Sequence, residues 1–557
     1  MTTIPSAHDE RIVFDPVLKP IAEPRSGVFY VVITLMGLGA VAGTLAWFYQ
    51  LRYGLRTTGM NAPVFWGIYL VNFIFFTGIS MAGTMISAVL RIANAEWRRP
   101  ITRLAEAVTV IALSYGGLSI AFDEGRPDRL LNVIFYGRVQ SPIFWDIVCV
   151  TAYLSMSALY LYLPLIPDLA LLRDRKIGRT WLYEFLAFGY TGAEKQKKRL
   201  EAVISVMAVV IIPIAISVHS VVSYIFATTL QPGWHSTVFG PYFVVGALFS
   251  GLAALMIVMA ILRRSFHLEG ILKDIHFNNV ALVLLAMDFL VIYFTLNINL
   301  IEITGQEPAV LAPVLDVVLG RFSLLFWGMV IGGFIIPAII LLFPKGRSVT
   351  GCVIASSLIV VGMWIERFLI VVPTLLHPRM PWGSTTYFPT WVEWAVTGGC
   401  ICGFIFFYML FTRFFPVISI WEVEEGIQRA AADVRERVEQ YMPMAYQKIG
   451  EIMISQGLIT KAQLDEALDV QKEGELLGDT LIRLGFIVRA QRDELAGLKL
   501  RIGEFMIGQG LITEAQLEEA LDAKKEGELL GDTLIRLGFI AHPELEKVVG
   551  NRMNEVT

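Results

Sequence analysis

The chain has 557 residues, of which 55% are hydrophobic, and its mean hydropathy is +0.62. A soluble protein of this length does not need so much apolar surface, and the apolar residues come in runs near the length of a bilayer span. The formal net charge of −4 and the lack of a strongly basic tail give no indication of nucleic-acid binding. The composition therefore predicts an all-α polytopic membrane protein, and we expect no signal peptide in the polar, proline-containing first 25 residues.

Ten apolar runs predict ten transmembrane helices. Loops 2–3, 4–5, 6–7 and 8–9 contain 17 Lys and Arg residues, whereas the loops of the opposite face contain 7. The positive-inside rule then places those four loops and both termini in the cytoplasm, and the protein in the cytoplasmic membrane. The predicted spans are 28–51, 63–90, 101–122, 143–172, 200–228, 236–262, 277–302, 322–343, 350–374 and 390–415.

The link between spans 3 and 4 carries charges at both of its ends and lies on the predicted outer face. Asp123 and Asp146 stand at neighbouring helix ends, and Arg126 lies between them. An acid beside the bilayer core costs free energy unless it has a partner or a task. The three residues could bind a polar head group and exchange its protons, or they could clamp the loop. The residue types leave both possibilities open.

Several acids fall inside the spans. Glu106 is on the inner side of span 3, Asp288 is in the middle of span 7, and Glu302 is at the outer end of span 7. These three acids predict a proton path, although Asp288 could equally be a buried structural acid. Glu366 and Arg367 are adjacent in span 9 and so about 100° apart on a helix, where they could also pair with neighbouring helices.

The outer half of the second set of spans holds further polar residues. His219 lies in the outer half of span 5, and Trp234 and His235 follow in the short outer loop 5–6. Trp234 could be an ordinary residue of the interfacial aromatic belt. His235 lies on the same face as Asp123 and Asp146, which strengthens the prediction of an outer site.

Haem, iron–sulfur and metal sites are not expected in this chain. All four cysteines lie in apolar runs, and the sequence contains no Cys-x-x-Cys-His motif. Only His219 lies well within a predicted span, whereas a bis-histidine haem needs two ligands. Any redox chemistry must then use a bound organic carrier and exchange electrons with another subunit.

Several motifs together resemble a known family. They are Gly-Arg-Pro after span 3, Ser-Pro-Ile-Phe-Trp-Asp opening span 4, Ser-Val-His-Ser-Val-Val-Ser in span 5 and Pro-Gly-Trp-His-Ser-Thr before span 6. Over about residues 25–420 the chain resembles the NrfD/polysulfide-reductase membrane subunit family. Met-Trp-Ile-Glu-Arg-Phe in span 9 and Pro-Thr-Trp-Val-Glu-Trp at span 10 resemble the ActC-like branch of alternative complex III.

The resemblance implies two four-helix bundles flanked by two further helices. It also implies exchange of a quinone, menaquinone or ubiquinone, near the outer face. The implied partners are a periplasmic iron–sulfur or molybdopterin-like subunit, a multihaem c-type cytochrome and other integral membrane subunits, all within the lipid bilayer or at its surface.

The resemblance also implies roles for particular residues. Asp123, Asp146 and His219 would act as catalytic groups around the quinone head group, with Arg126 alongside. Two positions depart from the pattern, because the ActC-like branch tends to have His where this chain has Asp123 and an ionisable group where it has Met81. The remaining candidates for quinone binding are Trp234, His235, Glu366 and Arg367.

The last part of the chain contains a repeat. Residues 449–460 recur at 502–513, and the segment 477–487 recurs unchanged at 530–540, so the period is 53 residues. Thr460 and Thr513 are predicted helix N-caps. The repeat resembles the N-terminal domain of type II secretion and pilus ATPases, some of which bind cyclic di-GMP. Neither copy has the full binding pattern, so we expect cytoplasmic protein docking at 448–551.

These observations predict four regions: an N-terminal tail (1–27), a ten-helix membrane domain (28–416), a charged helical linker (417–447) and the repeats (448–551). The favoured function is the quinone-interacting membrane subunit of a respiratory electron-transfer complex, with proton translocation as a possible coupled activity. A non-redox transporter and a membrane receptor that signals through its repeats are the alternatives.

Overall fold

The computed structural model describes residues 17–23, 25–378, 385–426, 453–454, 457–470 and 477–487, together with positions 516, 520, 533, 534, 536 and 537. These described residues form helices, turns and loops, with one isolated bridge between Asn61 and Val64 and no β-strand. The prediction of an all-α polytopic membrane protein is confirmed.

Ten helices of the described residues are long and apolar enough to cross a membrane. Their ends differ from the predicted ones by at most six residues. They are α1 (Gly27–Tyr53), α2 (Ile68–Ile92), α3 (Thr102–Asp123), α4 (Pro142–Asp174), α5 (Glu194–Ala227), α6 (Phe239–Ser265), α7 (Asp274–Gly305), α8 (Ser323–Leu342), α9 (Val349–Leu375) and α10 (Trp391–Phe414).

Shorter helices lie in the connections between the spans. The α-helical ones are Asn132–Tyr136, Thr180–Leu186 and Pro308–Val318, and the 3₁₀ turns are Leu55–Thr57, Glu96–Arg98, Pro127–Arg129 and Pro344–Arg347. Two spans contain a π-helical stretch, Thr84–Val89 in α2 and Gly328–Ile335 in α8. Such stretches are frequent at functional sites.

The ten long helices form two bundles and one flanking pair. Helices α2 to α5 pack around one interior, helices α6 to α9 pack around a second, and α1 packs along α10. Small residues allow the closest approaches, as expected between membrane helices. A Cβ atom on Gly43 of α1 would lie 2.6 Å from the Cα of Gly399 in α10, so a larger residue there would push the pair apart.

The inner end of the first bundle contains two prolines within a helix. Pro164 and Pro167 lie inside α4, but the helix continues to Asp174. Asp168 is fully buried there and pairs with Arg103 of α3, and the carbonyl oxygen of Pro164 accepts a hydrogen bond from Arg103 at 2.7 Å. These tertiary contacts hold the last turns of the helix in place.

Residues 416–426, named here the inner clasp, span the predicted boundary between the membrane domain and the linker, and they pack against the first bundle. The backbone N–H groups of Ile420 and Trp421 donate to the Asp168 carboxylate at 3.0 and 3.2 Å. Glu422 is buried and pairs with Arg91 and Arg98. The start of the predicted linker is therefore part of the membrane unit and not a spacer.

The chain divides into two compact units, Met1–Gln428 and Arg429–Thr557. In the second unit the structure describes two helices, Lys461–Asp469 and Leu477–Arg483. Thr460 caps the first of them as predicted, through a capping box with Gln463. The other predicted cap, Thr513, lies outside the described residues. The positions of the cyclic di-GMP binding pattern in both repeats also lie outside them.

Candidate functional site

Asp123 and Asp146 lie at the predicted outer end of the first bundle. Asp123 is the last residue of α3, and Asp146 is the fifth residue of α4. Asp146 is only 3% exposed, and one carboxylate oxygen of each residue is buried without a hydrogen-bond partner. No hydrogen bond joins the two carboxylates in the described part of the chain. Both groups could therefore accept or donate a hydrogen bond to a bound molecule.

In the described part of the chain, Arg126 pairs with a third acid, Asp128, and not with Asp123 or Asp146. Its side chain is exposed, and its Nε and Nη2 atoms donate to the two carboxylate oxygens of Asp128 at 3.0 and 2.9 Å. An exposed ion pair of this kind contributes little to stability, because water solvates both partners. Arg126 would have to leave Asp128 in order to reach a ligand near Asp123.

One face of α4 carries polar residues over the outer half of the helix. Asp146, Tyr153, Ser157 and Tyr160 are spaced by 7, 4 and 3 residues, so they share one face, and all four are buried. The stripe they form is about 21 Å long, because an α-helix rises 1.5 Å per residue. The hydroxyl oxygen of Ser157 has no hydrogen-bond partner. The sequence contains this spacing, but the apolar residues between the four positions made it hard to recognise.

The stripe continues to Glu106 through side chains of α2. The Tyr153 hydroxyl lies 2.7 Å from the Thr84 hydroxyl, and the Tyr160 hydroxyl donates to the Ser87 carbonyl oxygen at 3.3 Å. Ser87 in turn donates its hydroxyl to Glu106, whose second carboxylate oxygen has no partner. Thr84 and Ser87 lie in the π-helical stretch of α2. Polar contacts thus connect Tyr153 and Tyr160 of α4 to α2 and to Glu106 on the inner side, whereas the buried Val150 separates Tyr153 from Asp146.

A further buried acid, Glu393 at the start of α10, has a structural role. Its carboxylate accepts hydrogen bonds from the Tyr387 hydroxyl at 2.6 Å and from the backbone N–H groups of Gly59 and Thr390 at 2.7 and 2.9 Å. It forms a capping box with Thr390. The Thr-x-x-Glu pattern in the sequence could have identified this cap.

His219 and Asp288 are buried without hydrogen-bond partners at key atoms. His219 in α5 has an unpartnered Nε2 atom, and it lies within electrostatic reach of Arg367. Asp288 in α7 is fully buried, and neither of its carboxylate oxygens has a partner. An ionised carboxylate in this position would be very costly. Asp288 therefore needs a proton, a water molecule or a cation beside it.

The residues of the outer loop 5–6 differ in their environment. Trp234 is buried, donates its indole N–H to the Ile370 carbonyl oxygen at 2.7 Å and stacks against Trp66 at 6.0 Å. It therefore packs inside the protein, between the two bundles, and not in an exposed aromatic belt. His235 is exposed, and its Nδ1 atom lies 3.2 Å from the Thr229 carbonyl oxygen.

Glu366 and Arg367 pair with each other inside the second bundle. Both are buried, and Arg367 Nη1 lies 2.9 Å from Glu366 Oε2. The guanidinium group also lies 4.9 Å from the ring centroid of Phe243. Long side chains can bend towards each other in this way although their Cβ atoms diverge. The two residues thus form a local ion pair, and both also contact the neighbouring helix α6, Arg367 through the Phe243 ring and Glu366 through the Tyr242 side chain.

A cavity of about 90 Å³ opens beside Glu366. Tyr242, Thr295, Asn299 and Glu302 line it, and the short helix Pro308–Val318 contributes an apolar wall. One water needs about 10–15 Å³ in the same measure, so the cavity has room for several waters.

The predicted site residues therefore fall into two groups. Asp123, Asp146 and Glu106 belong to the first bundle, whereas Glu366, Arg367, Asp288 and Glu302 belong to the second. Tyr153, Tyr160 and Tyr242 were not predicted, because tyrosine in an apolar run is ordinary in a membrane helix. Within the described residues, no group of three or more His, Cys, Asp and Glu side chains is placed to hold a metal ion.

Comparison with known proteins identifies similar chains. The sequence profile of the family described as "Polysulphide reductase, NrfD" matches residues 56–378. Over 448 residues the chain is 27% identical to a Halobacterium salinarum protein whose name describes a dimethyl sulfoxide reductase membrane subunit. That match covers 77% of this chain and 97% of the relative.

Two further relatives are named as subunits of other complexes. The Hdr-like menaquinol oxidoreductase integral membrane subunit of Archaeoglobus fulgidus is 24% identical over 70% of this chain and 94% of its own length. A protein of Escherichia coli named as a Ni/Fe-hydrogenase 2 b-type cytochrome subunit is 25% identical over 66% of this chain and 88% of its own length.

Proposed function

Because this chain belongs to the NrfD polysulphide reductase family, we propose that it is the quinone-interacting membrane subunit of a respiratory oxidoreductase complex. The observation that carries the proposal is the buried polar stripe of α4, which ends at the unpartnered carboxylate of Asp146. Burying such polar side chains inside a membrane bundle costs free energy, and residues of this kind typically belong to functional sites. The name of the Archaeoglobus relative, a menaquinol oxidoreductase subunit, supports the same class of substrate.

In this proposal the quinone head group binds at the outer end of the first bundle. Asp146 and Asp123 hydrogen-bond the quinol oxygens, and His219 and Arg126 are the further candidates for contact with the head group, Arg126 after release from Asp128. Oxidation of a quinol to a quinone releases two electrons and two protons, and the reverse reaction takes them up. The carboxylates are the groups that accept or donate those protons.

The electrons pass to or from a separate subunit. We infer a periplasmic iron–sulfur partner, with a multihaem c-type cytochrome and other integral membrane subunits in the same complex. The proposed orientation places both termini of this chain in the cytoplasm of a bacterium. The basic residues of the connections support it, because 17 of them lie on one face and 7 on the other.

Proton transfer to the inner side would use the stripe and Glu106. The Tyr153–Thr84 contact and the Ser87–Glu106 hydrogen bond are two links of such a route. The second bundle would contribute separately, since Asp288, Thr295, Asn299 and Glu302 share one face of α7 at spacings of 7, 4 and 3 residues. On the inner part of that face Phe277, Ala281 and Leu284 are buried and apolar.

The test is quinone turnover by the whole complex with Asp146→Asn or Asp123→Asn. We expect turnover to fall by about 100-fold or more, the usual scale of a lost proton-transfer group, with the amount of assembled complex unchanged. Glu307→Gln is the matched control, since Glu307 is an exposed acid of another outer connection, between α7 and α8. Normal turnover in both variants would return the two acids to a structural role.

A second measurement separates the proton route from the quinone site. Glu106→Gln should leave quinone binding intact while reducing proton movement across the membrane of vesicles that contain the complex. Unchanged proton movement at normal turnover would exclude Glu106 from the route. The three variants together distinguish loss of the quinone site from loss of the inner-side exit.

A further inference from the structure

The short helix Thr180–Leu186, between α4 and α5, carries exposed aromatic residues. Trp181 and Phe185 are four residues apart, so they lie on one face of the helix, and Phe188 follows in the next turn. Their exposed fractions are 69%, 75% and 82%. Tyr183 points the other way and is only 1% exposed. Large apolar side chains clustered in this way indicate a surface that another apolar phase covers.

This helix is fixed to the inner ends of the bundle. The Tyr183 hydroxyl donates to the Phe414 carbonyl oxygen at 2.8 Å, and the Tyr162 hydroxyl donates to the Leu186 carbonyl oxygen at 2.6 Å. The Arg179 guanidinium lies 4.5 Å from the Phe414 ring centroid. The aromatic residues therefore project from a rigid support.

The turn after the helix holds Phe188 in a costly conformation. Its φ is +52°, in the left-handed region, and Gly189 follows with φ +70°. A side chain in this region brings its Cβ too close to the carbonyl oxygen, which is why glycine is preferred. Here the strained residue is also the most exposed of the three aromatics. A contact that buries Phe188 would offset the cost.

Basic residues surround the aromatic surface. Between residues 173 and 199 the sequence has eight Lys or Arg and three Asp or Glu residues. The exposed basic residues are Arg175, Lys176, Arg179, Lys195, Lys198 and Arg199. Two of the acids are already engaged, Asp174 with Arg173 and Glu194 with Lys198. The surface therefore has an excess of positive charge.

We propose that residues 173–199 form a binding site for anionic phospholipid. Trp181, Phe185 and Phe188 insert between lipid chains at the membrane surface, and the surrounding basic residues bind the lipid phosphates. The helix lies between the end of α4 at Asp174 and the start of α5 at Glu194, which is where these two spans leave the membrane.

Lipid is the occupant that fits both parts of the surface. Aromatic residues are enriched at the membrane interface, and amphipathic helices with basic polar faces lie in it. Clustered Lys and Arg beside a span bind anionic head groups. This inference does not depend on the quinone function.

The experiment uses the whole complex, purified in detergent and reconstituted in nanodiscs of phosphatidylcholine, with or without phosphatidylglycerol. The measurements are the retained lipid, determined by mass spectrometry, and the thermal unfolding midpoint of this chain. We expect phosphatidylglycerol to be retained preferentially and to raise the midpoint, with both effects weakened by high salt.

Two variants test the two parts of the surface. Lys195→Gln with Lys198→Gln and Arg199→Gln should weaken retention of phosphatidylglycerol by more than about tenfold, since each basic residue near an anionic surface contributes about fivefold in affinity. Trp181→Ala with Phe185→Ala and Phe188→Ala should reduce retention of both lipids.

Matched controls carry the same kinds of change elsewhere. Arg264→Gln with Lys345→Gln removes exposed basic residues of other connections on the same predicted face, and Phe135→Ala with Tyr136→Ala removes exposed aromatics of the outer link. Neither should change retention. Equal retention of the two lipids, or unchanged retention in the basic variant, would overturn the proposal. So would loss of a co-purifying protein from the aromatic variant with lipid retention unchanged, because the surface would then dock a protein.

Discussion

The buried carboxylates of this chain differ in whether they have a charged partner. Glu366 takes its partner from the next position along the chain, Arg367, at 2.9 Å. Asp146 and Asp288 have carboxylate oxygens without any hydrogen-bond partner. Glu366 Oε2 also lacks a hydrogen bond within the described residues, but Arg367 balances its charge. A charge-balanced pair is consistent with a structural role, whereas an unpartnered carboxylate in a membrane bundle indicates a site that a proton, water or ligand completes. On this criterion Asp146 and Asp288, which form no ion pair in the described part of the chain, are better functional candidates than Glu366.

A pH dependence is expected from Asp316, in the connection between α7 and α8. Burial of this carboxyl raises its pKa, but hydrogen bonds from Arg321 and His377 outweigh burial and lower the pKa to about 2. The Arg321 Nε atom donates at 2.9 Å, and His377 Nε2 lies 3.0 Å from the same oxygen. A carboxyl with a lowered pKa in the folded state stabilises above its unfolded pKa of about 3.9, and the stabilisation is lost as pH falls towards 2.

Asp316→Asn should therefore lower the free energy of unfolding at pH 7 by about 1 kcal/mol, a value reduced from the full shift because Arg321 is half exposed. The difference between variant and wild type should shrink as the pH falls below about 4. Thermal unfolding of the purified chain across this pH range measures both effects. A constant difference at all pH values would show that the ion pair does not cause it.

At the scale of elements, the inner clasp joins the last span to the first bundle. Arg103 is almost fully buried, and it donates to Asp168 at 2.5 Å and to the Ile418 carbonyl oxygen at 3.1 Å. The same carboxylate accepts the backbone N–H groups of Ile420 and Trp421. One carboxylate therefore holds helix α3 and the clasp against α4.

Asp168→Asn leaves Arg103 buried without a counter-charge, which typically costs about 3–5 kcal/mol. We expect a large fall in the thermal unfolding midpoint of the purified chain. Asp174→Asn is the matched control, because Asp174 lies at the end of the same helix in an exposed pair with Arg173 and should change stability by less than about 1 kcal/mol. Equal effects in the two variants would refute the central role of Asp168.

At the scale of the whole molecule, one prediction concerns haem. His219 is the histidine that lies deep within a span, and a bis-histidine haem needs two. We expect the chain, stripped of partner subunits, to show no Soret band and no bound metal. A relative named as a b-type cytochrome subunit makes the measurement informative. A Soret band that survives removal of the other subunits would contradict the prediction.

The second prediction at this scale concerns the C-terminal repeats. Removal of residues 448–551 should leave membrane insertion and quinone turnover intact, since the ten spans and the inner clasp belong to the first compact unit. Association with a cytoplasmic partner should be lost, because the Leu- and Ile-rich sequence of each repeat predicts an apolar face for docking. Loss of turnover on truncation would contradict this separation.

Calorimetry on the full chain and on the truncated chain tests the remaining alternative for the repeats. Binding of cyclic di-GMP at micromolar concentration or tighter, present in the full chain and absent after truncation, would replace protein docking with nucleotide binding. No heat of binding in either protein would be consistent with docking.

Local patterns along the chain are enough to predict the ten spans and the cap at Thr460, because apolar length and capping residues act over a few neighbouring positions. They also locate the acids, since an acidic residue within an apolar run can be recognised from the sequence without knowledge of the fold. Which acids have partners depends on the packed helices, because Arg103 meets Asp168 across 65 positions of the chain. The sequence could not predict the packing of residues 416–426 either, since a charged amphipathic segment resembles a linker. Only the packed structure brings it to the arginines of α2 and α3. Such long-range pairs form only when the helices pack, so local sequence patterns cannot predict them.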